Sequence, residues 1–403
     1  MAEKDEQQRD WTHLPGELLD TIMRRMTKLR DIVRFQAVCK PWRLAVLDQE
    51  QNPPKFLQSL PWQMHSCKYF PTSAGNSCSG SDGCHRFLDV VENDNCILHV
   101  DLGTKKHCNG SAYGWLIMQE QYCRPLVLYL LNPLTGNKIT LANKIAGRER
   151  ERGDQYLDCV SGNNLNGFAM SAEPTAAEGC VVVAAYHEFG GSGLVFWKLG
   201  GTGERETELQ QICTFIPIDS LVDHPQTFLR WDATPIEFWR DKVHIFCGED
   251  GDGRVLSCDL AAAAHPLFSW AFVPEDFTLP FHGAGGYCVH FLVASPEGGE
   301  LMLLSRHKAA YTDEDRTCRL SFFVHRMNED GKRWDEAKTI GDYAIFMVLD
   351  SAFLVSVKDH PECRRDSVYY EGGIYDLNGD PIPIGPYGSS PPHCRALLLP
   401  CNY

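Results

Sequence analysis

Beyond Cys67 the chain is a succession of short apolar runs, each cut off by Gly, Asn, Asp or Pro. Runs of that size read as strands, and a continuous apolar one such as residues 180–186 reads as a strand buried on both faces. The runs gather into stretches at residues 86–141, 156–217, 231–274, 287–340 and 343–384, each with several segments joined by tight turns. A recurrence of about 45 to 60 residues suits the blades of a β-propeller. At about 50 residues per blade the length after the connector allows six or seven blades, and six is favoured. A large β-sandwich or two stacked barrels is the alternative. Turn chemistry points the same way: Asn132-Pro133-Leu134-Thr135-Gly136-Asn137 and Asn378-Gly379 sit beside apolar runs as hairpin signals.

The first part of the chain has a different period. Leu18, Ile22 and Met26 recur at spacing four, with Leu19 and Met23 widening the stripe and Pro15 in the first turn. A second helix is expected after Asp31, carrying Ile32, Phe35, Val38 and Cys39. Pro41 stops it and opens a third with Trp42, Leu44, Ala45 and Leu47. Three helices in about 37 residues cannot bury their own apolar surface, so the module needs a partner or the downstream domain to complete it. From Arg24 to Arg43 it carries seven basic residues against the single acid Asp31. An acidic partner fits that charge, and a solvated basic face is the alternative.

The whole chain is the opposite in sign. With 38 Lys plus Arg against 53 Asp plus Glu its net charge is −15, which repels phosphate backbones, so no nucleic acid is expected. No apolar run reaches membrane-spanning length, and the charged first ten residues hold no secretory h-region. The expected setting is the cytoplasm and/or nucleus, where the 17 cysteines stay reduced. The sequon Asn109-Gly110-Ser111 is then incidental.

Catalytic and cofactor signatures are missing. The chain contains no phosphate-binding loop, dinucleotide fingerprint, zinc-protease motif or nucleophile elbow. The Gly248–Gly253 stretch, with Asp250 and Asp252, faintly resembles a calcium loop, but Arg254 and Ala261 stand at liganding positions and a hairpin turn is expected. Cys78, Cys84, His85, His107 and Cys108 have no zinc-site spacing, and His187, His244, His290 and His325 fall in or beside strands, as structural histidines do. The expectation is a non-enzyme with no cofactor and no metal. A propeller hydrolase with carboxylates in its channel is the enzymatic alternative.

The motifs themselves have relatives. The opening Leu14-Pro15, the leucine-rich first helix and the late Val38-Cys39-Lys40-Pro41-Trp42-Arg43 closely resemble the F-box. The runs Ser111-Ala112-Tyr113-Gly114-Trp115, Asn132 to Gly136, Ile340 to Phe346 and Gly373-Ile374-Tyr375-Asp376-Leu377 resemble the plant F-box family with a KIB-type β-propeller. Leu141-Ala142 and Val348 depart from that family's pattern at local turns.

The resemblance implies a disordered tail at 1–10, an F-box at 11–50, a linker and flexible loop at 51–84, and a propeller at 85–403. It implies a substrate-recognition subunit of an SCF-type cullin-RING ubiquitin ligase, a non-catalytic receptor whose F-box binds a Skp-type adaptor while the propeller holds a target. The alternative is an interaction scaffold that pairs with the adaptor outside any ligase. Some members of the family target plant kinases, which makes a kinase one candidate target class. The implied adaptor-binding residues are Leu14, Pro15, Leu18, Leu19, Ile22, Leu29, Ile32, Val38, Cys39, Trp42 and Arg43.

Overall fold

The computed structural model describes residues 11, 14–23, 25, 34–35, 38–47, 62–66, 83–89, 96–103, 105–120, 127–133, 136–141, 165–174, 179–188, 191–199, 211–217, 235–247, 253–259, 267–272, 287–295, 299–309, 318–328, 333–348, 351–370, 373–380, 382–384 and 394–398. The expected tail at 1–10 lies outside them.

Near the N-terminus, α1 (Gly16–Met23) and α2 (Lys40–Leu47) pack on one another. The amides of Leu18 and Leu19 donate to the Pro15 carbonyl, so the chain turns helical directly after the proline. Helix α1 closes at Met23, with the Arg25 amide donating to the Ile22 carbonyl, and Met26 lies outside the described residues. Of the expected middle helix only Arg34 and Phe35 are described as helical. Val38 and Cys39 are a correction: they form the turn into α2, the Val38 amide donating to the Phe35 carbonyl.

The rest is β. Sheet 1 is ordered β25 (Cys394–Leu398), β1 (Trp62–Ser66), β2 (Cys84–Asp89), β3 (Cys96–Asp101). Sheet 2 holds β4 (Lys106–Ala112), β5 (Trp115–Glu120), β6 (Val127–Leu131) and β7 (Lys138–Leu141). Sheet 3 holds β8 (Leu165–Met170), β9 (Cys180–Glu188), β10 (Gly191–Leu199) and β11 (Gln211–Pro217). Sheet 4 holds β12 (Ile236–Trp239), β13 (Lys242–Cys247), β14 (Arg254–Asp259) and β15 (Leu267–Phe272). Sheet 5 holds β16 (Tyr287–Ala294), β17 (Leu301–Lys308), β18 (Cys318–Met327) and β19 (Trp334–Ala337), with β24 (Ile382–Ile384) also on β18. Sheet 6 is ordered β21 (Ser351–Ser356), β20 (Tyr343–Val348), β22 (Ser367–Tyr370), β23 (Gly373–Asp376).

Neighbouring sheets touch through β25 and β4, β4 and β8, β8 and β12, β12 and β16, β16 and β21, and β20 and β25. That cycle of inner strands is a β-propeller. Its last strand, β25, is the inner strand of the sheet whose other three strands come first in the domain, so the ring is closed by pairing β25 with β1.

Two sequence expectations are corrected here. The stretch 51–84, expected to be linker and loop, contains β1, because β25 needs a partner on its outer side and Met64 buries its side chain completely there. The count of six blades is corrected as well. Five sheets are regular antiparallel blades, but in sheet 6 β20 pairs with β22 in parallel. The cause is the connection after β21: Cys363 tucks it against the stacked rings of Phe346 and Tyr369, 4.3 Å apart, and carries the chain past β20.

Strand patterns follow burial. In β9, Val182, Val183, Ala184 and Ala185 are all buried because the strand is covered on both faces. Its alternate residues join different clusters: Val182 and Ala184 pack with sheet 2, Val183 and Ala185 with sheet 4. The 132–137 turn is a hairpin as expected, with the Asn132 amide donating to the Asn137 carbonyl at 2.9 Å and Gly136 at φ +76°, which a side chain resists. The Asn378-Gly379 turn is not one. It sends the chain from β23 to β24 on the neighbouring sheet 5.

Candidate functional site

The helical module divides its apolar residues between inside and outside. Leu19, Met23 and Phe35 are buried, and Phe35 packs on Trp42 with ring centroids 4.4 Å apart. The Trp42 indole N–H donates to the Trp11 carbonyl at 3.0 Å, which pins the entering chain to α2. Leu19, expected among the partner-binding residues, is buried on the side of α1 that the rest of the module covers.

The outside is apolar too. Among the described residues the exposed large apolar side chains are Trp11, Leu18, Val38, Leu44, Tyr113 and Ile374, and the first four belong to this small module. Leu18 is 49% exposed and Val38 52%, although nothing in their chemistry favours water. Pro15 and Arg43 are exposed, while Leu14, Ile22, Cys39 and Trp42 are half-buried between them and the interior. Leu29 and Ile32 lie outside the described residues. Arg25, Arg34, Lys40 and Arg43 are exposed and supply positive charge on the same module. Sequence reasoning missed Trp11 and Leu44 as members of the outer set. Helical spacing puts Leu44 on one face with Leu47, but only the packing of α1 on α2 shows which side stays bare.

In the propeller the two remaining exposed residues lie apart. Tyr113, at φ +47°, caps the β4–β5 turn and its hydroxyl donates to the Ser171 carbonyl of the next sheet at 3.2 Å. Ile374 lies on the outer strand β23. The weighed zinc residues do not assemble: Cys84 and His85 are buried on β2, Cys108 is buried on β4 and donates its thiol to the Gly110 carbonyl, and Cys78 lies outside the described residues. Among the described residues no group of three or more His, Cys, Asp or Glu could hold a metal ion. Cys39, Cys84, Cys108, Cys180, Cys247, Cys258, Cys288 and Cys363 are not in disulfides. Burial pushes the Cys180 thiol up to about 11 and that of Cys258 up to about 12, the direction of inert packing residues rather than nucleophiles.

A ring of sheets preceded by a small helical module with exposed apolar side chains defines a β-propeller protein. Residues 87–389 match the family described as the KIB1-4 beta-propeller, and the chain belongs to that family. Among curated relatives it is similar to the F-box protein SKIP23 of Arabidopsis thaliana, 24% identical over 93% of this chain and 86% of that protein. It is likewise similar to the F-box protein At2g26160 of Arabidopsis thaliana, 22% identical over 91% of this chain and 96% of that one. Among solved structures, the aldose sugar dehydrogenase of Streptomyces coelicolor aligns at 12% identity and a TM-score of 0.26, over 58% of this chain and 81% of that chain.

Proposed function

We propose that this protein is the substrate-recognition subunit of an SCF-type cullin-RING ubiquitin ligase, with its helical module as the F-box. The observation that carries the reading is the exposure of large apolar side chains on so small a module, Leu18 and Val38 among them, together with exposed Arg34, Lys40 and Arg43. An acidic adaptor of the Skp type would cover the apolar side chains and meet the positive rim, which favours encounter and orientation. Relatives spanning nearly the whole chain are named F-box proteins, which supports the same reading. The propeller would hold the target, with a kinase as one candidate class. The receptor itself needs no reacting group, because holding a target lysine near the conjugating enzyme raises its effective concentration. A cytoplasmic or nuclear site of action goes with this role.

The test is direct binding of the full chain to a plant Skp-type adaptor, wild type against the double variant Leu18→Asp and Val38→Asp. Both side chains are about half exposed, so the variant keeps its fold. If they anchor the interface, affinity falls at least about a hundredfold, since two anchors of about 2 kcal/mol each are lost. Unchanged affinity in a folded variant refutes the assignment. Co-purification of a cullin and ubiquitination of bound proteins would then separate a ligase receptor from a scaffold.

A further inference from the structure

The seams between sheets are not alike. Between sheets 3 and 4 the packed cluster is apolar, with Ala169, Val183, Leu194, Val243, Ile245 and Leu256. Between sheets 5 and 6 it is apolar again. Between sheets 4 and 5 it is apolar only toward one end of the strands, through Phe246, Leu292, Leu303, Phe272 and Trp334. Of the eleven buried polar residues among those described, seven are on these two sheets: His244, Ser257, His290, Ser305, His307, Ser321 and His325.

Strand alternation puts them on the facing sides. Val243, Ile245 and Leu256 pack toward sheet 3, so His244 and Ser257 turn toward sheet 5. Val289, Phe291, Leu304 and Val324 pack toward sheet 6, so His290, Ser305 and His325 turn toward sheet 4. The Phe246 and His290 rings, 5.1 Å apart, join the two sides.

Within this seam His244 is 3% exposed, and neither ring nitrogen has a hydrogen-bond partner. Glu237 is its direct cross-strand neighbour on β12, and the Trp239 ring lies tilted beside it with centroids 5.2 Å apart. From its own strand Lys242 contributes charge, and from β14 Asp259, the two paired at 3.6 Å at the rim. Sheet 5 presents Cys288 and His290 on β16, His307 on β17 and His325 on β18, with Arg319 and Glu336 exposed at the edge. A layer this polar gains less from closure than the apolar seams on either side.

We propose that the seam between sheets 4 and 5 is where this propeller opens, and that Glu237 and His244 couple that opening to protons in opposite directions. Burial, and then Lys242, lower His244 to about 4, and burial raises Glu237 to about 8. His307 and His325 are also lowered, chiefly by burial. A lowered imidazole takes up its proton only when the seam opens, so acid favours opening, by about tenfold for His244 between about pH 7.5 and 5.5. A raised carboxyl holds its proton in the closed seam and releases it on opening, so acid favours closure, by roughly fiftyfold over the same range. The neighbours thus offset one another.

The test places a reporter in the seam of the full chain. Ser257→Cys faces the seam, while the native Cys258 beside it faces sheet 3 and serves as the internal control. Labelling by a pyridyl disulfide is followed site by site by mass spectrometry at about pH 7.5 and 5.5, each rate divided by that of the unfolded chain. Position 257 is expected to label at least about tenfold faster than Cys258. Relative to that parent, Glu237→Gln should raise the ratio of opening at low to high pH by more than about tenfold, and His244→Phe should lower it by about tenfold. If His244→Phe loses its β-sheet circular dichroism, His244→Gln replaces it with the same expected shift if its imidazole is what titrates. Equal labelling at 257 and 258 overturns the seam, and shifts that are absent, one-sided or in the same direction overturn the coupling.

Discussion

A fragment that lacks the helical module must begin at or before Trp62, not after Ser66. Strand β1 is paired on both sides, with β2 through Trp62 to Ser66 and with β25 through Trp62 to His65. Deleting it removes the fully buried Met64, a loss of about 2 to 5 kcal/mol by analogy with core truncations. It also strips hydrogen-bond partners from β2 and from β25, each stranded group costing about 1 to 3 kcal/mol where water cannot replace them. The sum exceeds about 10 kcal/mol, within the range of a domain's whole stability of about 5 to 15 kcal/mol. Because β25 closes the ring through β1, the damage reaches the inner strand and not just an edge. Residues 62–403 and 67–403 would be expressed side by side and compared by size-exclusion, circular dichroism and thermal unfolding. The longer fragment is expected to unfold cooperatively and the shorter to aggregate. A cooperative transition for 67–403 within a few degrees of the other would refute the reasoning.

Two further substitutions probe single contacts. The Asp366 carboxylate accepts from the Ile340 amide at 2.6 Å and from the Thr339 hydroxyl at 2.9 Å, and the residue sits at φ +52°, so Asp366→Ala should cost about 3 kcal/mol and Asp366→Asn about 1 kcal/mol in urea unfolding. Equal costs for the two would mean the carboxylate bonds contribute nothing. A Cβ on Gly83 would lie 2.5 Å from the Gly103 carbonyl carbon, which is backbone and cannot swing away, so Gly83→Ala should lower stability by about 2 kcal/mol or more. A variant as stable as wild type would show that the 83–103 approach can open at no cost.

Much of the propeller was legible because its strands are short and its turns are chemically marked. The Asn132 to Asn137 hairpin could be read from residue types alone, since Gly136 answers a backbone requirement at one position. Long-range pairing could not. Residues 86–141 looked like one unit, yet β2 and β3 belong with β25, nearly three hundred residues later in the chain, and β4 to β7 form another sheet. Nothing local in Trp62-Gln63-Met64-His65-Ser66 distinguishes a closing strand from a polar connector. The mixed sheet 6 was hidden for a related reason, since β22 reads as an ordinary strand and only Cys363, packed against Phe346 and Tyr369, shows how the chain reaches the far side of β20.

The helical module was legible in outline but not in detail, for one physical reason. Helical spacing identifies a stripe but cannot say how much of it the neighbouring helix uses up. Leu18 and Leu19 are adjacent in sequence and equally apolar, yet one is half exposed and the other buried, because α2 covers only one side of α1. The histidines pose the same problem in strands. His244, His290 and His325 each read as unremarkable strand residues, and alternation alone leaves open which face each one takes. Their meaning comes from register: once Glu237 is opposite His244, and Val243 and Ile245 are committed to sheet 3, the polar side chains are left facing one seam. What a residue contributes here is thus set by which of its two faces a partner has already claimed, a property of the assembled ring and not of any one strand.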